Sequence, residues 1–358
     1  MPSNAHFLSK FSSASTSPIS VTTANQQECR EELIWKKELT AATTSATELL
    51  KRLKLEHYSD TIDAQPAFKC LATDRYIEKI KVGDIDDPLL QQILPLSKEN
   101  LSTVQKNGRT DPVGDLNAEV ARGLLHKYHG RALIISTGAC AIHCRYCFRR
   151  DYPYQDSSCT GKALDGTLTY LNKHKEIEEI ILSGGDPLIL DNKKLNSLIT
   201  KLEQIKHLRT LRIHTRIPVV LPTRITTGLL SLLQSSRFEV VMVIHANHAN
   251  ELQDQEQEKL HQLHQSGVTL LNQSVLLKGI NDNPDSLIAL SKRLFQCKTL
   301  PYYLHSLDPV EGVMHFEVST RRAHDLIQEI TTRLPGYLIP KLVQEIAGSQ
   351  SKTAIFHI

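Results

Sequence analysis

The chain has 358 residues, 40% of them hydrophobic, which is enough to bury one barrel-sized core together with an extension. Its 42 basic and 39 acidic residues leave a net charge of only +3, which excludes the strongly basic surface of a typical nucleic-acid-binding protein. No apolar run approaches the ~20 residues that span a bilayer, and the Ser-rich start lacks the apolar stretch of a secretory signal. We therefore expect neither a nucleic-acid partner nor a membrane span.

The cysteines argue against a disulfide framework. Their number is odd, three of them fall within one short loop, and the others are scattered at positions 29, 70, 159 and 297. Secreted domains stapled by disulfides use paired, closely spaced cysteines instead. We therefore expect the reducing environment of the cytoplasm.

Residues 1–115 are predicted to form an N-terminal extension of helices and loops. Leucines recur at helical spacing from Glu28 to about Leu55, with an interruption at the Thr-rich turn Thr40–Ser45. Asp-Asp-Pro and Leu-Pro then break the segment Lys79–Lys98 into short pieces. No residues arranged for chemistry are visible in the sequence of this extension.

Residues 116–340 are predicted to form the main domain, because short β-rich runs alternate there with helical segments. Six strands are fewer than the eight of a closed barrel, so the expected α/β fold is a partial (β/α)6 TIM-like barrel. Residues 341–358 are assigned to a C-terminal segment. The predicted strands are Arg131–Thr137, Glu178–Leu182, Thr210–Thr215, Val240–His245, Thr269–Leu276 and Tyr302–Leu307. The predicted helices include Asn192–Ile205, Gly228–Leu233, Asn250–Gln265 and Pro284–Phe295.

Polar side chains lie at or just beyond the end of every predicted strand. Barrel active sites collect at the C-terminal ends of strands, because the loops that follow them face one common rim. We therefore expect these side chains to surround a single site. In chain order they are the three cysteines, Ser183–Pro187, His214–Arg216, His245–His248, Asn272–Ser274, and His305 with Asp308.

Cys140, Cys144 and Cys147 follow the first predicted strand with the spacing C-x3-C-x2-C. Structural zinc sites usually use four protein ligands, and four-cysteine clusters leave no iron open to a ligand. Three cysteines in one loop therefore indicate a [4Fe–4S] cluster with one iron free to bind a substrate or cofactor. Two alternatives stay open, namely a zinc site completed by His143 or Cys159, and three unrelated buried thiols.

Several other groups are ambiguous from the residues alone. Gly184–Pro187 is either a place where backbone approaches a ligand closely or an ordinary strand-to-helix turn. The guanidinium of Arg149 is either exposed to solvent or placed to bind a carboxylate through two nitrogens. Lys352 lies near the end of the chain, where a solvated side chain is the ordinary interpretation. A basic cluster stands at the start of the first strand: Lys127, Tyr128 and Arg131.

From about Leu125 to its end the chain resembles the radical S-adenosylmethionine (SAM) lysine 2,3-aminomutases, which also use pyridoxal 5′-phosphate (PLP). The cysteine spacing is the signature of the radical SAM superfamily, and Gly184–Pro187 resembles its Gly-Gly-Glu element, here with Asp. The resemblance implies three cofactors: a [4Fe–4S] cluster, SAM and PLP. The matching stretches are Cys140–Arg150, Leu182–Leu188, Arg216–Thr226, Asn272–Asn281 and Pro301–Phe316.

The resemblance also implies how the cofactors are held. Lys352 would be the catalytic residue, because it occupies the position of the lysine that forms the Schiff base with PLP. The cluster would be bound by Cys140, Cys144 and Cys147. The PLP phosphate would be bound by Lys127, Tyr128 and Arg131. The SAM site would be formed by Tyr146 near the adenine, by Gly184, Gly185 and Asp186 at the amino group, and by His245 and Gln273.

For the substrate L-lysine, the resemblance implies binding at both ends of the molecule. Arg149 would hold the carboxylate, and Asp308 and Glu345 would hold the ε-ammonium. The longer mutases have Asp where this chain has Glu345, and the extra methylene changes the reach of that carboxylate.

The short end after Lys352 and the segments Ile34–Leu39 and Asp111–Asp115 resemble one subgroup, the elongation factor P (R)-β-lysine synthases. This resemblance implies conversion of L-α-lysine to (R)-β-lysine, which a partner ligase attaches to elongation factor P. An electron donor that reduces the cluster is a further implied partner.

Two rival functions remain at this point. One is a radical SAM aminomutase for another amino acid, such as glutamate or arginine. A dicarboxylic substrate would require cations where this chain has Asp308 and Glu345. The other is a non-enzymatic iron–sulfur or zinc protein, which would leave Lys352 and Arg149 without a role.

Overall fold

The computed structural model describes residues 18–63, 66, 68–101, 108–155, 159 and 162–355. At its centre is one ten-stranded sheet, in which the strands lie side by side in chain order. The strands are β1 (Glu119–Ala121), β2 (Leu124–Tyr128), β3 (Arg131–Thr137), β4 (Glu179–Gly184), β5 (Thr210–Thr215), β6 (Glu239–His245), β7 (Thr269–Val275), β8 (Leu300–His305), β9 (Lys341–Gln344) and β10 (Thr353–Ala354).

Strands β3 to β9 are all parallel to one another. An antiparallel β1-β2-β3 unit forms one edge of the sheet, and the antiparallel pair β9-β10 forms the other. Within the described residues no ladder joins β1 to β10, so the barrel is open. The predicted α/β partial barrel is confirmed, and each of the six predicted strands is present with ends shifted by at most about two residues.

Strand β9 is a seventh parallel strand that the sequence did not predict. It has four residues, of which Leu342 and Val343 are buried, and this is too short for a periodic pattern to stand out. It pairs with β8 through the register Tyr303↔Lys341. The predicted C-terminal segment therefore begins inside the sheet, and β9 carries Glu345 to the edge of the barrel. The other domain limits stay predictions.

Ten α-helices flank or precede the strands in the described residues. The four predicted helices are present, and several begin with a side-chain cap, such as Asp191, which accepts from the backbone N–H of Lys194 at 2.8 Å. None of the described helices is both long enough and apolar enough to cross a membrane. The helices are Pro18–Thr40, Ala46–Arg52, Asp74–Ile77, Lys162–Lys173, Asn192–Glu203, Ile217–Val220, Thr227–Ser235, Asp254–Gln265, Pro284–Gln296 and Thr320–Thr331.

The N-terminal extension is helical, as predicted, and it packs directly on the barrel. Its long helix starts at Pro18 rather than at Glu28. The buried Trp35 lies under the guanidinium of Arg224, 5.0 Å from the ring centre. Buried residues of the extension, such as Leu49, belong to the same apolar cluster as the core of the barrel. The extension is therefore in a position to support the loops at the rim.

Candidate active site

One cavity of about 480 Å³ opens at the C-terminal ends of the parallel strands. All of the residues that the family resemblance assigned to the cofactors, the substrate and the cluster line it. They are Lys127, Tyr128, Arg131, Cys140, Cys144, Tyr146, Cys147, Arg149, Gly184, Gly185, Asp186, His245, Gln273, Asp308, Glu345 and Lys352. Most of the polar residues expected at the strand ends also line this cavity, but Asn247, His248, Asn272 and Ser274 do not. The individual roles stay predictions.

The cysteine loop (residues 138–150) follows β3 and is fixed by the N-terminal extension. The backbone N–H of Arg145 donates to the Gln92 carbonyl at 2.8 Å, and that of His143 donates to the Leu71 carbonyl at 2.9 Å. The buried guanidinium of Arg145 forms a bidentate ion pair with Glu99. A short loop pinned at several points keeps its three thiols facing the cavity.

The three cysteines are partly buried free thiols that share one cavity, which argues against three unrelated core thiols. In the described part of the chain, no group of three or more His, Cys, Asp or Glu side chains is closed around a metal-sized point. Cys159, one of the two candidates for a fourth zinc ligand, is buried beside the hydroxyl of Thr167 at 3.2 Å and does not line the cavity.

Two glycines let the end of β4 lie against the cysteine loop. A Cβ on Gly184, whose φ is +120°, would stand 2.4 Å from the Thr137 carbonyl oxygen. A Cβ on Gly185 would stand 2.3 Å from the Ala139 carbonyl oxygen. Any side chain at these positions would displace backbone, so both glycines shape the base of the loop.

Asp186 ties the ends of β4 and β5 together. Its carboxylate accepts from the Thr215 hydroxyl and from the backbone N–H of Arg216, both at 2.7 Å. Burial raises the pKa of this carboxyl to about 6. Because both oxygens already have partners within the protein, Asp186 positions the rim in this structure, and its contact with SAM stays a prediction.

Arg216 connects the cysteine loop to the opposite side of the rim. Its Nη1 donates to Cys144 Sγ at 2.7 Å, and its Nη2 donates to Glu251 at 2.7 Å and to Gln92 at 2.8 Å. In the sequence, Arg216 was one of the polar residues after the third strand and the first residue of a matching stretch, but no role was assigned to it. Its partners Gln92 and Glu251 carried no sequence signal. Together they form a buried polar network behind Cys144.

Tyr146, His245 and Gln273 lie on neighbouring parts of the wall. The Tyr146 ring is buried, 5.7 Å from the His245 ring, and His245 pairs with Gln273 in the β6-β7 register. Burial lowers the pKa of His245 to about 3, so its imidazole is neutral. Within the described residues its buried Nε2 has no hydrogen-bond partner. The same holds for His214. The wall therefore offers polar atoms that a ligand can satisfy.

Five alternating charges, here called the ion-pair chain, cross the cavity. Asp115 lies 2.6 Å from both Arg149 and Lys127. Glu345 lies 3.0 Å from Lys127 and 2.5 Å from Lys352. Lys127 is on β2, whereas Glu345 follows β9. The ion-pair chain therefore crosses the seam, which is the gap between the β1-β2-β3 edge and the β9-β10 edge of the open sheet. Asp115 belongs to the extension, and the sequence assigned it no chemistry.

The ion-pair chain changes how the predicted PLP residues are understood. Lys127 already contacts two carboxylates and the Val113 carbonyl, so it is not a free cation. Arg131 stacks on the Tyr128 ring at 4.8 Å and forms no ion pair among the described residues. Lys352 lies 5.9 Å from the centre of the Tyr303 ring. Of the three predicted phosphate ligands, Arg131 is therefore the most available.

Glu345 and Asp308, the two carboxylates predicted to bind the substrate ammonium, differ in their pKa and in their hydrogen-bond partners. Burial would raise the pKa of Glu345, but Lys352 and Lys127 hold it well below its usual value. Burial, together with the charge of Glu345, raises the pKa of Asp308 to about 7. Within the described residues, Asp308 Oδ1 is buried without a hydrogen-bond partner. Asp308 can therefore accept a hydrogen bond from a cationic ligand without losing an existing one, whereas Glu345 would first have to give up its contact with Lys127 or Lys352.

Comparison with known proteins finds relatives along most of the chain. A family described as a 4Fe-4S single cluster domain matches residues 129–216. The chain is 44% identical to L-lysine 2,3-aminomutase of Haemophilus influenzae over 90% of this chain and 96% of that protein. It is 41% identical to L-lysine 2,3-aminomutase of Escherichia coli over 90% of this chain and 94% of that protein. A solved radical SAM methyltransferase from Sphaerobacter thermophilus gives a TM-score of 0.46 at 14% identity, covering 62% of this chain and 68% of that one.

Proposed function

Because the chain belongs to the lysine 2,3-aminomutase family of isomerases, we propose that it is a radical SAM, PLP-dependent enzyme that converts L-α-lysine to (R)-β-lysine. One observation carries this proposal. A single cavity holds three cysteines near one end of the ion-pair chain and Lys352 at its other end. The same wall holds Asp308, whose Oδ1 has no hydrogen-bond partner in the described part of the chain.

The residues present fit the implied cofactors. The cluster would be held by Cys140, Cys144 and Cys147, which are free thiols on a pinned loop. When bound, the cluster with SAM supplies a carbon-centred radical that removes a hydrogen atom from lysine, and PLP lets the amino group move from C2 to C3. The SAM site would be formed by Tyr146, Gly184, Gly185, Asp186, His245 and Gln273. The PLP site would be formed by Lys352, Lys127, Tyr128 and Arg131.

The protein's own contribution is to fix lysine at both ends. Arg149 donates from Nε to Asp115 and from Nη1 to the Ser183 hydroxyl, while its Nη2 has no hydrogen-bond partner in the described residues. This nitrogen can therefore donate to the substrate carboxylate. Asp308 and Glu345 would take the ε-ammonium. Charges at both ends select for length, and they hold the carbon chain still between them.

Glu345 also holds Lys352 in place. Its carboxylate lies 2.5 Å from Lys352 Nζ and 3.0 Å from Lys127 Nζ. A substrate ammonium that arrives beside Glu345 would compete with Lys352 for this carboxylate, so entry of lysine would loosen the ion pair that holds Lys352.

We further propose that the product serves the modification of elongation factor P through a partner ligase, in the cytoplasm, with a separate electron donor reducing the cluster. The support is the resemblance of Asp111–Asp115 and Ile34–Leu39 to that subgroup. The first of these segments supplies Asp115 to the cavity, so it belongs to the site and not only to the scaffold.

The deciding experiment is an anaerobic assay of reconstituted protein with SAM, PLP, a strong reductant and L-lysine, followed by chiral mass spectrometry. β-Lysine formed with only catalytic consumption of SAM supports the mutase, and its hand tests the subgroup. SAM cleavage without β-lysine, followed by turnover of glutamate or arginine, would transfer the proposal to that substrate. No SAM cleavage by protein with an intact cluster would refute the enzyme.

A further inference from the structure

Asp115 stands at the centre of the ion-pair chain although it comes from the N-terminal extension. It is only 2% exposed, and each of its oxygens meets a different cation. Oδ1 lies 2.6 Å from Lys127 Nζ, and Oδ2 lies 2.6 Å from Arg149 Nε. Burial alone would raise the pKa of this carboxyl, but Arg149 and Lys127 hold it below its usual value, so it stays ionised.

The contacts of Asp115 determine which edge of the Arg149 guanidinium faces the cavity. The Asp115 carboxylate accepts a hydrogen bond from Nε, and the Ser183 hydroxyl accepts one from Nη1 at 3.0 Å. The nitrogen left for a ligand is Nη2. The same carboxylate holds Lys127, which reaches across the seam to Glu345. Asp115 therefore couples the carboxylate-binding end of the site to the residue at its ammonium-binding end.

Building on the proposed function, we propose that Asp115 is a positioning residue for the amino acid substrate, acting through Arg149 and Lys127 to fix the spacing between the two ends of the site. The loop before β1 thus takes part in substrate selection. Asp115 need not touch the substrate, since it sets the orientation of the groups that do.

The variant Asp115→Asn tests this role with almost no change in volume. The Asn side chain has one acceptor oxygen and one NH2 group that can only donate, whereas the two oxygens of Asp115 each accept from a different cation. In the variant an amide N–H therefore has to face either Arg149 or Lys127. Asp115→Glu is the milder variant, because it keeps the charge but lengthens the link by one methylene. Asp285→Asn is the matched control, since it breaks an exposed ion pair with Arg333.

The measurement is steady-state turnover of lysine, with iron content, PLP content and thermal unfolding recorded for each variant. We expect Asp115→Asn to raise KM for lysine at least about tenfold with less than about a threefold fall in kcat, and Asp115→Glu to raise KM about threefold. Asp285→Asn should stay within about twofold of wild type. A merely structural role would lower stability or cofactor content without this split between KM and kcat.

The outcomes separate this inference from the proposed function. Wild-type protein that forms β-lysine, together with variants that keep the wild-type KM, overturns the role of Asp115 alone. If Asp115→Asn does not fold, an unchanged KM in Asp115→Glu overturns it equally. Wild-type protein that forms no β-lysine overturns the proposed function, and this inference with it.

Discussion

Replacing Glu251 by Gln is expected to destabilise the protein far more than the loss of an exposed ion pair. Glu251 is fully buried, and its Oε2 lies 2.7 Å from Nη2 of the buried Arg216. Its Oε1 accepts from the backbone N–H of Asn247 at 2.7 Å. The isosteric amide keeps the volume and one acceptor, but it removes the negative charge that compensates the guanidinium behind Cys144.

The magnitude follows from burial. Leaving a buried charge without its partner costs about 3–5 kcal/mol. With an unfolding entropy of about 2.1 cal/mol/K per residue, one kcal/mol lowers the Tm of a chain of this length by roughly 1.3 °C, so a fall of ~4–7 °C is expected. Burial would raise the pKa of Glu251, but Arg216 holds it below its usual value. The stabilisation is therefore complete above about pH 5 and is lost as the pH falls through the lower, folded-state pKa.

The assay is thermal unfolding of the cofactor-free protein under reducing conditions, at neutral pH and in an acid series. The control is Asp285→Asn, whose ion pair with Arg333 is exposed and worth at most about 1 kcal/mol. If the Tm of Glu251→Gln lies within roughly 2 °C of the control, the dependence of Arg216 on this carboxylate is refuted.

Three further outcomes are expected. Lys352→Ala should lose the visible absorbance band of PLP-loaded protein, and a retained band would show that PLP binds elsewhere. Because burial raises the pKa of Asp308 to about 7, lysine affinity should rise as the pH increases through that value and the carboxylate forms; a profile of Asp308→Asn that rises equally would contradict this. Gly185→Ala puts a Cβ 2.3 Å from the Ala139 oxygen and should reduce iron binding, whereas Gly166→Ala, in a helix with open space around its Cβ, should stabilise the protein by about 0.5–1 kcal/mol and retain iron.

The features that were predicted from the sequence depend on local patterns. Each of the six strands is a short β-rich run followed by polar residues, and that pattern is complete within some ten residues of chain. The cysteine spacing is local as well. The rule that barrel strand ends converge then brought distant residues, such as Cys140 and Asp308, to one cavity without knowledge of their contacts.

The features that were missed depend on pairs far apart in the chain. Asp115 acquires its place only when Arg149 and Lys127 fold around it, and Lys127 meets Glu345 across 218 positions. The sequence marked Asp115 only as the end of a segment that resembles one subgroup, and nothing in it indicated these two partners. Strand β9 was missed for another reason, since its pairing with β8, and not its own four residues, makes it a strand.

The seam of the barrel connects this architecture to the proposed chemistry. In the described residues the two sheet edges are joined by ion pairs, through Lys127 on β2 and Glu345 after β9, and not by a backbone ladder. A ladder can be replaced only by unfolding a strand, whereas an ion pair can exchange one partner for a ligand charge. In the proposed site, a PLP phosphate would compete with Asp115 for Lys127, and a substrate ammonium would compete with Lys352 for Glu345. Binding of cofactor and lysine is therefore expected to rearrange the seam while the parallel strands keep their register.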